Sequence, residues 1–541
     1  MNYISGNIVD PISKEIYSGK LIFSDGKITD IERDDNTYSN YIIPGFVDSH
    51  IHIESSMLIP YEFSRIAVIH GTVATVSDPH EIANVLGIEG INFMIDNSKL
   101  SPLKFYFGAS PCVPATSFET SGACLGVDDI EKIIMQDNVK FLSEVMNTVG
   151  VINGDKDILE KIEIAKKYSK KIDGHAPGLT GKDLETYIAA GITTDHESVQ
   201  RAEGLEKIKK GMKIQIREGS AAQNFEALIP LVDTHSDVCM FCSDDKHPDD
   251  LIRGHIDQMI RRSIKYGIDF FKILKVSSVN PVKHYGLDVG LLQVGDPADF
   301  LVVDNLADLN ILSTYINGQE VAVRGKTSIP NRSFEAINKF NVSKKKLSDF
   351  SLPYKEGKIN VIEAIDGQII TNSFTAEPKI INGNAVSDVE RDILKIAVIN
   401  RYKDSKVSVG FIRNFGLKKG AIVSSIGHDS HNIICVGVDD EDILNAVNMT
   451  IEMKGGIGCL CGSNKMFLNL PIGGIMTFED YTKVADNYRH ITNYAKTLGC
   501  QLSSPFMTLS FMALLVIPKL KIGDKGVFDF NKFRLIDLYD T

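Results

Sequence analysis

The feature that most constrains the fold of this sequence is a strict alternation between residues 43 and 285. Eight short apolar runs, FVDSHIH, TVATVSD, KFYFGAS, VKFLSEV, KIDGHAP, ITTDHES, KIQIREG and VCMFCSD, are separated by stretches of helical period such as DILEKIEIAKKYSKK and AEGLEKIKKG. A strand-helix repeat of this length and regularity predicts an α/β fold, a (β/α)8 TIM-like barrel whose catalytic groups sit at the C-terminal ends of the strands. A doubly wound sheet is the competitor, and it is weakened because no run is followed by the G-x-G-x-x-G turn of a dinucleotide-binding version.

The flanks read differently. Residues 1–42 and 286–345 are short β-runs broken by Gly, Asp and Asn turns, and they predict one small composite β-domain built from both sides of the barrel. Residues 346–541 resume mixed patterning and predict a C-terminal α/β domain. A formal net charge of −12 excludes a chain whose main task is gripping nucleic acid. The first residues carry no basic segment followed by an apolar one, and no apolar window is long enough to span a membrane, so the expected setting is cytoplasmic. Eight scattered cysteines predict free thiols, and Cys239 and Cys242, three apart on an extended run, point to opposite faces and share no ion.

The chemistry starts at His50 and His52, whose offset of two puts both imidazoles on one strand face. H-x-H alone is weak, since such pairs also cap loops. The other runs, however, end in ligand-type residues as well: Glu144, His175, His196 and Asp244. Four imidazoles and two carboxylates suit Zn, Mn, Fe or Co, whereas Ca or Mg would want more oxygen, and two ions need about this many ligands.

The segment PGFVDSHIHIESS, with the later GHAP, DHES and SDD, resembles the amidohydrolase superfamily. More closely, SHIHIESSM, VSDPHEIANV, DGHAPGL, TTDHESV, REGSA and CSDDKHPDDL are together similar to the bacterial adenine deaminases, and GHDSHN and LPIGGIM to the extra domain of that family. The resemblance implies a binuclear divalent metal centre, Mn or Fe(II) with Zn also compatible, held by His50, His52, Glu144, His175, His196 and Asp244, with Glu144 as the bridge. Lys140, the alternative bridge, is four residues and about 13 Å earlier along its strand, too deep to serve. It further implies hydrolytic deamination of adenine to hypoxanthine and ammonia by a metal-activated water, with a small-molecule purine as partner and a homo-oligomer, dimer or tetramer, as the assembly.

Asp244 is the expected general base. Glu54, His80 and Glu81 are the candidates to protonate a ring nitrogen, although Asp78-Pro79-His80-Glu81 also reads as a helix start with Asp78 as cap and Pro79 in first position. Arg217 and Glu218 are expected at the purine edge or in a salt bridge sealing the barrel. His428, Asp429 and His431 either cover the site or form a hydrogen-bonded turn within their own domain. The Gly455-Gly456-Ile457-Gly458 run lacks the Lys-Ser/Thr of a phosphate loop and is expected to be a turn. A zinc deaminase of the H-x-E and P-C-x-x-C design is excluded, because no cysteine follows Pro111-Cys112 at the required spacing and no proline precedes Cys239. The alternatives are a cyclic amide hydrolase, dihydroorotase-like or imidazolone-cleaving, and a non-catalytic barrel scaffold.

Overall fold

The structure, a computed structural model, describes residues 2–540. The N-terminal segment forms β1 (Asn2–Asp10), β2 (Glu15–Ser24), β3 (Lys27–Arg33) and β4 (Tyr41–Pro44). The chain then builds the barrel from β5 (Phe46–Ile51), β6 (Thr72–Ser77), β7 (Lys104–Ala109), β8 (Val139–Val145), β9 (Lys171–Gly174), β10 (Thr194–Asp195), β11 (Lys213–Arg217) and β12 (Cys239–Cys242). It returns through β13 (Phe300–Val303), β14 (Ile311–Ile316), β15 (Gln319–Val323) and β16 (Lys326–Thr327).

The two flanks make one sheet in the order β16-β15-β14-β13-β4-β1-β2-β3. The seam is β4, which runs antiparallel to β13, with Ile42 opposite Val302, and parallel to β1, with Ile42 beside Ile8. Ile8, Leu21, Phe23, Ile42 and Phe300 close its core, where the Phe300 and Tyr315 rings stack with centroids 4.5 Å apart. The composite β-domain is therefore a single hydrophobic unit assembled from residues about 260 apart in sequence, which fixes both ends of the barrel at one place.

Each of the eight apolar runs forms a barrel strand. β5 to β9 pair in parallel in sequence order, as do β10 to β12. Between β9 and β10, Thr193 N donates to Ile172 O at 2.9 Å, and closure follows where Asp244 N donates to His50 O at 3.0 Å. Strands covered on both faces need no polar side, and β5, β6 and β12 are buried along their whole length. The helix Lys156–Lys167 shows how the outer layer is specified: Ile158, Ile162 and Ala165 are buried against the barrel, and the Asp155 carboxylate caps the first turn by accepting from Asp157 N. Cys239 and Cys242 are free, buried thiols.

The last domain is a nine-stranded sheet in which pairing is antiparallel except between Lys358–Ala364 and Ser408–Arg413, so it departs from the parallel βα repeat of the barrel. Alternation along Ile393–Ile399 separates two cores. Ala397 and Ile399 pack under the helix Asp440–Met453 with Ile443 and Val447. Ile396 and Val398 face the other way, into the core shared with the helices Tyr481–Thr497 and Pro505–Phe511 and with the barrel. The glycine run near 455 is not a turn: Gly456–Cys461 is a strand, and Gly455 brings the backbone so near Gly474 that a Cβ would lie 2.4 Å from its Cα. The domain docks on the catalytic end of the barrel, where Thr477 N donates to Met57 O at 2.8 Å and Arg65 pairs with Asp480 at 2.9 Å.

Candidate metal centre

The strand ends carry the six ligand-type residues to one point. His50 lies inside β5 and His52 just beyond it; Glu144 lies in β8; His175, His196 and Asp244 follow β9, β10 and β12. All six are at most 7% exposed. His50 Nε2 and His52 Nε2 are 3.2 Å apart, and Asp244 Oδ1 is 3.5 Å from the first and 3.1 Å from the second. The Glu144 carboxylate divides its oxygens: Oε1 lies 3.3 Å from His52 Nε2, and Oε2 lies 2.7 Å from His175 Nδ1 and 3.2 Å from His196 Nε2. Lys140, at the opposite end of β8 and partly exposed, reaches none of them.

These separations test whether the residues fit a metal. Ligands at about 2.1 Å around a tetrahedral ion are about 3.4 Å from one another, the range seen here. Imidazole nitrogens that face each other across a shared carboxylate in a dry interior, like those of His50 and His52, are stable as neutral ligands to a cation and repulsive as imidazolium ions. Burial depresses His50 below its ordinary value and so keeps it neutral. Burial also opposes ionisation of Glu144, but the imidazoles of His175 and His196 outweigh it and hold the carboxyl well below its ordinary range. Four imidazoles and two carboxylates are the donor chemistry of a borderline divalent cation, whose charge would take the place of the protons that the neighbouring carboxylates draw onto His52, His175 and His196, and the set fits.

A second layer of ion pairs fixes these donor side chains. Arg217 donates to Asp244 Oδ2 at 2.8 Å and pairs with Glu197, which stands 3.5 Å from His196 Nε2. Lys207, with no exposed surface, donates to Asp195 Oδ2 at 2.8 Å and to Ala176 O at 2.7 Å, and Ala176 N donates to Asp195 Oδ1 at 3.0 Å. The neighbours of His175 and His196 are thereby tied to one ammonium.

The remaining candidates divide. His80 and Glu81 open the helix His80–Leu86 and line the cavity. Asp78 does accept from His80 N, at 3.1 Å, but the helix starts at His80, so Pro79 precedes its first turn. Glu54 does not line the cavity; its Oε1 accepts from Ile82 N at 3.2 Å and its role is to cap that helix. Arg217 is at the cavity, engaged with two carboxylates, whereas Glu218 turns away to pair with Arg262 and to accept from Phe225 N. His428 and Asp429 reach in from the last domain, with Ile369, Phe511 and Leu514 as an apolar roof, and His431 stands behind Glu81. Burial would lower His428, but Glu81 beside it raises it to about 9, so this pair holds one proton at the cavity wall at neutral pH. Sequence reasoning passed over Glu197 and Asp245, each adjacent to a ligand in its motif, and the roof, for which no local signal exists.

The amidohydrolase family description matches residues 41–321, and the adenine deaminase C-terminal domain matches residues 368–534. Two proteins called adenine deaminase, from Methanosarcina mazei and from Sulfurovum sp., are 51% and 54% identical to this chain; the alignments cover 100% of both chains in the first case and 99% of both in the second. The chain belongs to the adenine deaminase family. A third relative of that name, from Borreliella burgdorferi, is 48% identical over 99% of both chains. Among solved structures, a beta-aspartyl dipeptidase from Fervidobacterium islandicum AW-1 aligns at 17% identity over 61% of this chain and 97% of its own, with a TM-score of 0.45, a likeness too loose to bear on function. Amidohydrolase membership implies a divalent metal centre, and the buried histidines and carboxylates at the barrel mouth are of the kind that holds one. Among the described residues no helix is long and apolar enough to cross a membrane.

Proposed function

We propose that this protein hydrolyses adenine to hypoxanthine and ammonia, and that His50, His52, Glu144, His175, His196 and Asp244 hold two divalent ions, Mn or Fe(II), with Glu144 between them. The observation that carries the reading is the convergence of six buried donors at the mouth of the barrel in a chain about half identical, end to end, to proteins called adenine deaminase. When bound, the ions supply Lewis acidity and bring the pKa of water down to about 7.

The rest falls to the chain. Glu144 offers one oxygen to the His52 side and the other to the His175 and His196 side, which is the geometry a bridge requires. Asp244, oriented by Arg217, accepts the proton of the attacking water and returns it to the departing amine. The Glu81–His428 pair, beside His80 on the cavity wall, would deliver its proton to the ring nitrogen that gains charge during attack and regain one from the second water proton, released as the new hydroxyl becomes the carbonyl. Asp429, on the same wall, would accept from a purine N–H, and Phe511 and Leu514 would exclude bulk water above it.

The test is to load the purified chain with Mn(II) or Fe(II), add adenine, and follow hypoxanthine and ammonia with adenosine alongside. Conversion of adenine supports the reading. Conversion of adenosine alone overturns the substrate, and a ring-opened acid from a cyclic amide overturns the reaction.

A further inference from the structure

Glu81 belongs to the barrel, yet the imidazoles that grip its two oxygens belong to the last domain. His428 Nδ1 is hydrogen-bonded to Oε1, and His431 Nε2 lies in ion-pair contact with Oε2 without hydrogen-bond geometry. Glu81 is 1% exposed and His431 1% exposed. His428 lines the cavity, whereas His431 does not, so His431 reaches the chemistry only through the carboxylate it touches.

The segment carrying the two histidines is rigidly seated. The Phe511 ring stacks on the His428 imidazole at 4.6 Å and 15°, and Tyr402 OH donates to Ser430 O at 2.6 Å. His431 N donates to Gly427 O at 2.6 Å, and Asn432 Nδ2 crosses to Thr120 O of the barrel at 2.8 Å. A glutamate side chain has three rotatable bonds and, held at one oxygen only, still turns about the last of them. Contacts at both oxygens fix the plane of the carboxylate, and fixed orientation is where much of the rate of a proton transfer resides.

We propose that His431 is a positioning residue: with His428 it clamps Glu81 in the orientation used on the purine, so that the barrel supplies the metal ligands and the C-terminal domain completes the acid. This inference rests on the adenine reading for its kinetic test and on the contact itself for its thermal one.

The experiment compares metal-loaded, full-length wild type with His431→Ala, His431→Leu, His431→Gln, Glu81→Gln and the double variant His431→Ala with Glu81→Gln, measuring kcat and KM for adenine, metal per chain and Tm. Expected are a fall in kcat of about tenfold or more for His431→Ala, a KM within about threefold of wild type, unchanged metal content, and substantial recovery in His431→Gln, whose polar amide keeps a contact to the carboxylate. In the Glu81→Gln background His431→Ala should cost less than about twofold more, and the Tm losses of the two single variants should not add. An unchanged kcat, an equal loss in both backgrounds, a loss that follows metal content, or additive Tm changes would each overturn the clamp. If the Ala variant does not fold, His431→Leu, which fills the volume without a donor, takes its place in every comparison. A wild type inert toward adenine strikes the substrate reading alone, and the thermal comparison then still decides the clamp.

Discussion

Lys207 offers the sharpest test of how the ligand loops are held. Its ammonium and the Asp195 carboxylate form an ion pair at 2.8 Å in which neither side chain has exposed surface. Burial disfavours both charges; Lys207, with His196 and Ser198, holds Asp195 below its ordinary value, and Asp195, with Glu203, holds Lys207 above its own. Removing one partner of such a pair leaves an uncompensated buried charge, at a cost of about 3 to 5 kcal/mol. For a unit the size of this barrel, about 2 to 4 °C of Tm per kcal/mol translates this into a loss of about 6 to 20 °C for Lys207→Met. The sign with pH follows. In wild type the pair stabilises fully above the ordinary carboxylate value and fades as pH falls through the lower folded value. In the variant Asp195 keeps the donors Ser198 and Ala176 but loses its main counter-charge, so its folded value moves up, and the deficit is greatest at high pH and narrows as pH falls. Melting curves at pH 5 and 8 measure this, and metal titration should show about 10- to 100-fold weaker binding, because Lys207 and Asp195 fix the neighbours of His175 and His196. A variant that melts within 2 °C of wild type at pH 8 and binds metal as tightly would refute the reasoning.

Other substitutions read other parts of the account. Glu144→Gln keeps the shape but loses the charge by which both oxygens serve; metal per chain should fall to one or less and kcat/KM by more than about 100-fold, measured by elemental analysis and adenine turnover. His247, on the barrel, shares a 2.5 Å hydrogen bond with Tyr488 of the last domain, and burial, reinforced by His428, lowers it to about 3. The unfolded chain takes up this proton near pH 6.5 and the folded chain does not, so the contribution is intact above 6.5 and is lost as pH falls toward 3. At pH 5 the loss is about 2 kcal/mol, and His247→Gln should shrink the drop in Tm between pH 7.5 and 5 by about 4 to 8 °C, at about 2 to 4 °C per kcal/mol; an identical drop would count against it.

The barrel was legible because its strands are buried on both faces and separated by amphipathic helices, a pattern each element carries locally. The convergence of the six donor-type side chains was legible for the same reason: His50 and His52 share a strand face, and Glu144, His175, His196 and Asp244 each stand at or just past the end of a run. What depends on domain docking was not. Nothing around Ile369 or Phe511 signals that they roof the cavity, and GHDSHN reads equally as an internal turn until its histidines are seen on Glu81. Of the two readings of Glu218, the purine edge and a salt bridge, the structure has the ion pair. It sits beside Arg217 at the end of β11, but successive side chains diverge there, and Arg262 draws it outward.

The central claim is that activity resides in divalent ions held by these six side chains. Elemental analysis of purified, active full-length protein tests it most directly, with chelator treatment and Mn(II) restoration followed by adenine turnover on the same sample. The account predicts about two transition-metal ions per chain, their removal together with the activity, and recovery of both on reloading; full activity in protein stripped of transition metal would contradict it.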